Sequence, residues 1–255
     1  MKFIDLSVTI ANNTPCDPPS MPMQIDYLDH AWGGENMKDS FPGITSADLP
    51  KGLGWAIEHL SIYTHNGTHL DAPYHYHPTM DNGKPARTID EVPVEWCFSD
   101  GVLIDFSDKP DGYKVTPEDF AEAFAKIGYT LKPFDIVLVK SGAAPYWGAP
   151  EYLMRGCGMG KAATLWLLER GVKIVGTDAW SWDRPLPFIA KEFSQTKDSS
   201  LIWEAHFAGI EREYYHMEKL ANLDKLPPFG FKVACFPIKI EKASAGWVRP
   251  IAILP

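Results

Sequence analysis

The amino-acid sequence predicts a single α/β domain, residues 1–255, built on a mixed sheet. Three observations carry that reading. Between positions 101 and 176, apolar strand-like runs alternate with amphipathic helical ones. The last fifth of the chain has the pattern of a β-hairpin. A chain of 255 residues, 45% hydrophobic and 13% aromatic, is also long enough to close one substantial core.

Taken in order, Phe3 to Ile10 alternates apolar with polar or small residues and reads as a strand. Asn12 to Pro50 is rich in Pro, Gly, Asp and Met and shows no period. Its Met21, Met23, Trp32 and Phe41 favour a packed lid or an oligomer contact over disorder. Ile57 to Tyr63 reads as a strand leading straight into a turn at 65–69, where Gly67 and the following Pro73 exclude a long helix. Gly101 to Phe106 is a further strand. Thr116-Pro117-Glu118-Asp119 supplies a cap, a first-turn proline and two acids ahead of Phe120, Phe124 and Ile127, which together predict a helix. Asp135 to Lys140 is a buried-type strand, Lys161 to Arg170 a helix stopped by Gly171, and Val172 to Gly176 another strand. Phe231 to Ile240 and Trp247 to Leu254, joined through Ala243-Ser244-Ala245-Gly246, form the expected hairpin and make the sheet mixed.

A net charge of -9 with scattered Lys and Arg offers no stripe for phosphates, so nucleic acid is not an expected partner. No apolar run approaches the roughly 20 residues of a membrane span. Asp5 interrupts the stretch a signal peptide would need, and a cytoplasmic location is the expectation. Cys16, Cys97, Cys157 and Cys235 form no C-x-x-C pair and read as buried, reduced thiols without chemistry.

The chemistry is concentrated in His65-Asn66-Gly67-Thr68-His69-Leu70-Asp71-Ala72-Pro73-Tyr74-His75, which holds three of the eight histidines. On an extended segment residues two apart share a face, so His69 and Asp71 can address one ion, and the Asn66-Gly67 turn lets His65 fold back to it. Two imidazoles and a carboxylate suit Zn²⁺, Mn²⁺ or Fe²⁺ and leave positions open for water or a small-molecule substrate. His75, past a proline expected to hold the chain extended, can stand beside the ion as general acid/base. His77 reads as exposed or bracing. Asp178, Ser181 and Asp183 follow a strand end and are expected to brace its turn. Arg155 occupies the place where a phosphate loop would need its first glycine, so Gly156 to Lys161 reads as a flexible entry to a helix. Trp180 and Trp182 flank the turn and are the expected platform for a flat substrate, the other tryptophans being assigned to the core.

The stretch H-N-G-T-H-L-D-A-P-Y-H-Y resembles the H-x-G-T-H-x-D-x-P-x-H-F/Y signature of the cyclase-like metal-dependent hydrolases, a family that includes kynurenine formamidases, isatin hydrolases and trans-dienelactone hydrolases. The likeness extends to Asp5-Leu6-Ser7, Lys140-Ser141-Gly142 and Gly176-Thr177-Asp178, and to His206 with Glu218 twelve residues later. It implies that His65, His69 and Asp71 bind one divalent metal, Zn or Mn, that Asp71, His206 and Glu218 hold a second, and that His75 is the catalytic acid/base. It further implies a swivelling β/β/α fold and a homodimer or homotetramer. The chain departs from the family pattern at 12–50 and 185–200, which are longer, at His206-Phe207-Ala208, and at Glu218-Lys219-Leu220, where Glu-Asn-Leu is common. The expected activity is hydrolysis of a C–N or C–O bond in a cyclic amide, imide, lactone or aryl formamide by metal-activated water. The alternative is a non-haem iron oxygenase using His69, Asp71 and His206 as a two-histidine, one-carboxylate triad.

Overall fold

The computed structural model describes residues 1–255. Eleven strands are numbered along the chain: β1 (Lys2–Asp5), β2 (Gln24–Leu28), β3 (Ile57–Ser61), β4 (His69–Asp71), β5 (Phe98–Asp105), β6 (Ile136–Lys140), β7 (Ile174–Thr177), β8 (Tyr215–Glu218), β9 (Phe231–Ala234), β10 (Ala245–Trp247) and β11 (Ile251–Leu254). The helices are α1 (His30–Asn36), α2 (Pro73–Tyr76), α3 (Pro117–Ile127), α4 (Lys161–Glu169), α5 (Leu186–Thr196) and α6 (Ala208–Glu211). None is long and apolar enough to cross a membrane. The chain divides into two compact units, residues 1–9, 15–17 and 64–255 in the first and residues 10–14 and 18–63 in the second.

The first unit is organised by a nine-stranded sheet in the order β1-β11-β9-β5-β6-β7-β8-β4-β10. The strands β5 to β8 run parallel and all other neighbours antiparallel, so the sheet is mixed as expected. This sheet is curled, and covalent geometry requires it. Trp247 ends β10 at one edge and Ile251 begins β11, second from the other edge. Four peptide steps span at most about 15 Å, whereas seven strand spacings in a flat sheet would need about 34 Å. The edges therefore approach each other. There the Val8 amide donates to Thr68 Oγ1 at 2.9 Å, and the Val248 amide to the Thr68 carbonyl at 3.2 Å.

Period-two alternation gives the sheet two apolar faces. Val137, Val139 and Val175 pack with Phe120, Phe124, Leu167 and Leu168 of α3 and α4. Ile136, Leu138 and Ile174 join Ile4, Leu70, Met217, Phe231 and Val233 on the other face. Leu70 and Met217 thus point one way, and their neighbours His69, Asp71, His216 and Glu218 point the other. The helix α3 starts as its sequence predicts. The Asp119 amide donates to Thr116 Oγ1, the Thr116 amide donates to the Asp119 carboxylate, and Gly128 closes the helix at φ 67°.

Two expected elements are placed differently. β9 and β11 pair antiparallel, but Ala245 and Gly246, assigned to their connection, and Trp247, assigned to the second strand, lie at the far edge as β10 beside β4. Gly246 permits this approach, since a Cβ there would sit 2.6 Å from the Ile238 carbonyl oxygen. The strand read at 57–63 covers Ile57–Ser61 and pairs with β2 in a hairpin of the second unit, with all five residues exposed. That unit also holds α1, capped by Asp29, whose carboxylate accepts from the Ala31 and Trp32 amides. Cys97 and Cys235, distant in sequence, lie side by side, the Cys235 amide donating to the Cys97 carbonyl at 2.8 Å.

Phe120 is fully buried, with ring centroids 5.4 Å from Phe106 and 6.1 Å from Trp166. Phe120→Ala is expected to lower the unfolding free energy by about 3–5 kcal/mol. A shift in the urea midpoint at constant slope checks this.

Candidate metal centre

Strand register builds the site. β4 lies antiparallel on β8 with His69 opposite Glu218 and Asp71 opposite His216, all four side chains on one face. His69 Nε2 is 3.1 Å from Asp71 Oδ1 and 3.6 Å from Glu218 Oε2. His216 Nε2 is 3.1 Å from both Asp71 Oδ2 and Glu218 Oε1. The turn before β4, with Gly67 at φ 63°, folds His65 back so that its Nδ1 lies 2.9 Å from Asp71 Oδ1.

Pro73 was expected to keep the following chain extended. It opens α2 instead, because a proline at the first helical position forfeits no hydrogen bond. That single turn brings His75 back, its Nε2 3.7 Å from Asp71 Oδ2. From the segment before α6, His206 places Nε2 3.9 Å from Asp71 Oδ2 and 3.8 Å from Glu218 Oε1. His65, His69, Asp71, His75, His206 and Glu218 are thus gathered in one place. Two groups of closely spaced donors share Asp71: His65, Asp71 and His75, and Asp71, His206, His216 and Glu218; His69 stands beside both, against Asp71 and Glu218.

The hydrogen bonding inside this cluster fits a divalent cation. His69 Nδ1 donates to the Gly67 carbonyl at 2.9 Å, which leaves a lone pair on Nε2. His206 Nδ1 is held by Asp183 Oδ2 at 2.5 Å, the carboxylate partner that metal-binding histidines usually have. Buried Nε2 of His69 and both carboxylate oxygens of Asp71 have no hydrogen-bond partner, although imidazole nitrogens stand close to them. Lone pairs that crowd together without hydrogen-bonding one another are arranged for a shared cation.

The electrostatics are those of tightly coupled buried groups. Burial opposes ionisation of Asp71, yet the imidazoles of His65, His75 and His69 hold its carboxyl well below the usual range. Burial likewise opposes charge on Glu218, but hydrogen bonding to His216 brings it down to about 2. His216 itself is pushed up to about 9, its burial outweighed by the nearby carboxylates of Asp71 and Glu218. Burial takes His75 the other way, down to about 3.

Sequence reasoning missed His216. Its signal was the spacing of His216 and Glu218, the same two-residue period as His69 and Asp71 on the strand it faces. It expected the platform at Trp180 and Trp182. Trp182 is fully buried and donates to Thr164, and Trp180 donates to Asp17. Trp203 is also at the centre, stacked on His206 at 4.3 Å with an 8° interplanar angle and edge-on to His75 at 5.1 Å. His77 lies apart, bonded to Thr79. Asp183 braces His206, and Asp178 accepts from the Ser141 and Ala144 amides.

The model of the Cyclase family, described as "Putative cyclase", matches residues 4–184. The chain belongs to this family. It is similar to the kynurenine formamidase of Bordetella petrii, 28% identical over 195 residues that cover 76% of this chain and 79% of the relative. The kynurenine formamidase of Bordetella avium is 25% identical over the same shares. In fold it resembles an isatin hydrolase solved with the product analogue thioisatinate, at 20% identity and TM-score 0.77, covering 100% of this chain and 92% of that one. Isatin hydrolase A from Labrenzia aggregata gives 24% identity and TM-score 0.75, covering 99% and 93%. The oxygenase alternative loses its basis, since the centre gathers five imidazoles and two carboxylates and the family's named relatives are hydrolases.

A raised imidazole sets a pH dependence. In chelator-treated protein the hydrogen bonds of His216 contribute stability fully below its ordinary value near 6.5, and that contribution is lost as pH rises through about 9. A cation needs the neutral ring, so binding at pH 7.5 is expected to release about one proton and to tighten up to about pH 9. Titration calorimetry in two buffers of different ionisation enthalpy measures this. Absence of proton release would remove His216 from the ligand set.

Proposed function

We propose that this protein is a metal-dependent hydrolase that opens the carbonyl C–N or C–O bond of a cyclic amide, imide or lactone, or cleaves an aryl formamide. The observation that carries the reading is the buried donor cluster around Asp71, with His69 Nε2 and both Asp71 oxygens unclaimed by hydrogen bonds. The activities in the names of its relatives, on a formamide and on isatin, a cyclic amide, support the bond class.

His65 and His69, both against Asp71 Oδ1, would hold one divalent ion with it, and Asp71, His206, His216 and Glu218 a second, with Zn²⁺ and Mn²⁺ both suited to these donors. Bound there, the ion supplies Lewis acidity toward the scissile carbonyl and acidifies the attacking water. His75 manages the proton. Its burial keeps the ring neutral at physiological pH, so it can take the proton of the attacking water and return it to the departing nitrogen or oxygen. Trp203 and the His206 ring it covers offer an aromatic wall beside His75 for a planar substrate. Neither Cys16 nor Cys157 is poised as a nucleophile, since burial pushes both up to about 12.

The second unit supports assembly with further copies into a homodimer or homotetramer. It exposes Tyr27, Phe41, Ile57, Leu60 and Tyr63, a concentration of apolar side chains that a second copy would cover. The buried thiols Cys97, Cys157 and Cys235 accord with a reducing, cytoplasmic setting.

His69→Ala is expected to lose both metal and hydrolysis, and His206→Ala or Glu218→Ala to lower the metal stoichiometry. His75→Ala is expected to keep its metal while activity falls by about 10²–10⁴-fold. Elemental analysis with a hydrolysis screen over isatin, N-formylkynurenine and a dienelactone reads all of these outcomes. A metal-loaded protein inert toward all three substrates would overturn the bond class. For the assembly, light scattering should show Leu60→Glu shifted to a smaller species than the unaltered chain.

A further inference from the structure

We infer that Lys219 and Asp17 act together as a positioning pair that clamps the turn carrying His65 and so sets the geometry of the metal centre. This rests on the metal-binding reading above.

Lys219 follows Glu218 directly and is 1% exposed. A buried ammonium costs several kcal/mol unless it is paired and hydrogen-bonded. Here its Nζ donates to Asp17 Oδ1 at 2.5 Å and to the His65 carbonyl at 2.7 Å. Asp17 in turn accepts from Asn66 Nδ2 through its second oxygen at 2.8 Å and from Trp180 Nε1 at 2.9 Å. The pair therefore grips the backbone of His65 and the side chain of Asn66, the two residues that open the turn before β4.

Consequences run directly to the donors. The same turn presents the Gly67 carbonyl that fixes the tautomer of His69, and it aims His65 at Asp71. Lys219 is itself held at φ 59°, a left-handed conformation disfavoured for lysine. Its backbone is pinned there, its carbonyl accepting from Thr68 Oγ1 at 2.7 Å and its amide donating to the Ala179 carbonyl at 3.0 Å. The chain thus bonds residues 65 and 68 to the one residue that follows β8, on opposite sides of the Asn66-Gly67 bend. Packing alone would not need an ion pair here, since an apolar side chain of similar length would fill the space without a desolvation cost. What the ammonium adds is a directional bond to the His65 carbonyl.

The test compares Lys219→Met, Asp17→Asn and the double variant with the unaltered protein, each checked for folding by circular dichroism. Zn²⁺ affinity is measured by chelator competition, and the visible spectrum of the Co²⁺-loaded protein reports ligand geometry. Each single change is expected to weaken Zn²⁺ binding by about 10–100-fold, the range for residues that orient ligands, and to shift the Co²⁺ bands. The double variant should be no weaker than the worse single one, because both act through one clamp. Unaltered Zn²⁺ affinity and Co²⁺ spectrum in folded variants, or effects that multiply, would overturn the proposal. If Lys219→Met fails to fold, the near-isosteric Asp17→Asn decides by the same two readouts. Failure of the unaltered protein to bind Zn²⁺ would instead refute the metal reading, so the two failures are distinct.

Discussion

The pairing of β4 with β8 is the constraint on which the centre depends. Opposition of His69 to Glu218 and of Asp71 to His216 puts four donors on one face in a patch two residues wide. A slip of β4 by one residue would send Leu70 into that patch and drive His69 and Asp71 into the apolar face where Leu70 now lies. The core on the far side of the sheet therefore enforces the register of the site. From the outside, β10 repeats the constraint: Ala245 pairs with Asp71, and the Ser244 carbonyl receives the Ala72 amide.

Curling of the sheet supplies the second condition. β10 can pair with β4 only because the curled sheet lets the chain pass on to β11, near the opposite edge, within three residues, and the same curl brings Thr68 against Val8 and Val248. Closure leaves the donors with little contact to water, and ionisation inside it is collective. Asp71 stays charged because imidazoles surround it, and His216 holds its proton because two carboxylates face it. A cation entering this cluster replaces a proton that already performs part of its electrostatic role. Metal affinity and pH are thus coupled through the same three side chains.

How much of this could be read from the sequence follows the range of the interactions. The ligands at 65–71 were legible because a strand and its turn place them by local geometry alone. Helix α3 was legible for the same reason, its cap and its glycine stop both lying within the segment. His206 and Glu218 came only through family resemblance, since nothing local ties them to Asp71. His216 lies on a strand that was not recognised, and its role exists only once β8 meets β4. Pro73 misled because the same residue that holds its predecessor extended is also the best opener of a helical turn. β10 was read as a loop because Ala245 and Gly246 carry no strand signal; a close backbone approach, with no apolar pattern behind it, makes them a strand. Lys219 and Asp17 have partners far away in the chain, beyond the reach of any periodicity.

His206 is delivered differently from the other donors. No strand sets its position, and it arrives on the irregular segment between α5 and α6. Within that segment Trp203 is held at φ 55°, which for a bulky residue costs on the order of 1–3 kcal/mol and persists only where neighbours over-determine it. They do so residue by residue. The Trp203 carbonyl accepts from Phe207, Glu204 receives the Lys161 amide, and the Ala205 and His206 amides both donate to Asp183. The same Asp183 carboxylate then takes His206 Nδ1, so one side chain fixes both the backbone and the ring of the ligand. Stacking of Trp203 on that ring leaves Nε2 as its remaining polar edge, directed at Asp71 and Glu218. The strain at Trp203 is therefore located where the fold substitutes a pinned loop for a strand in placing a candidate donor.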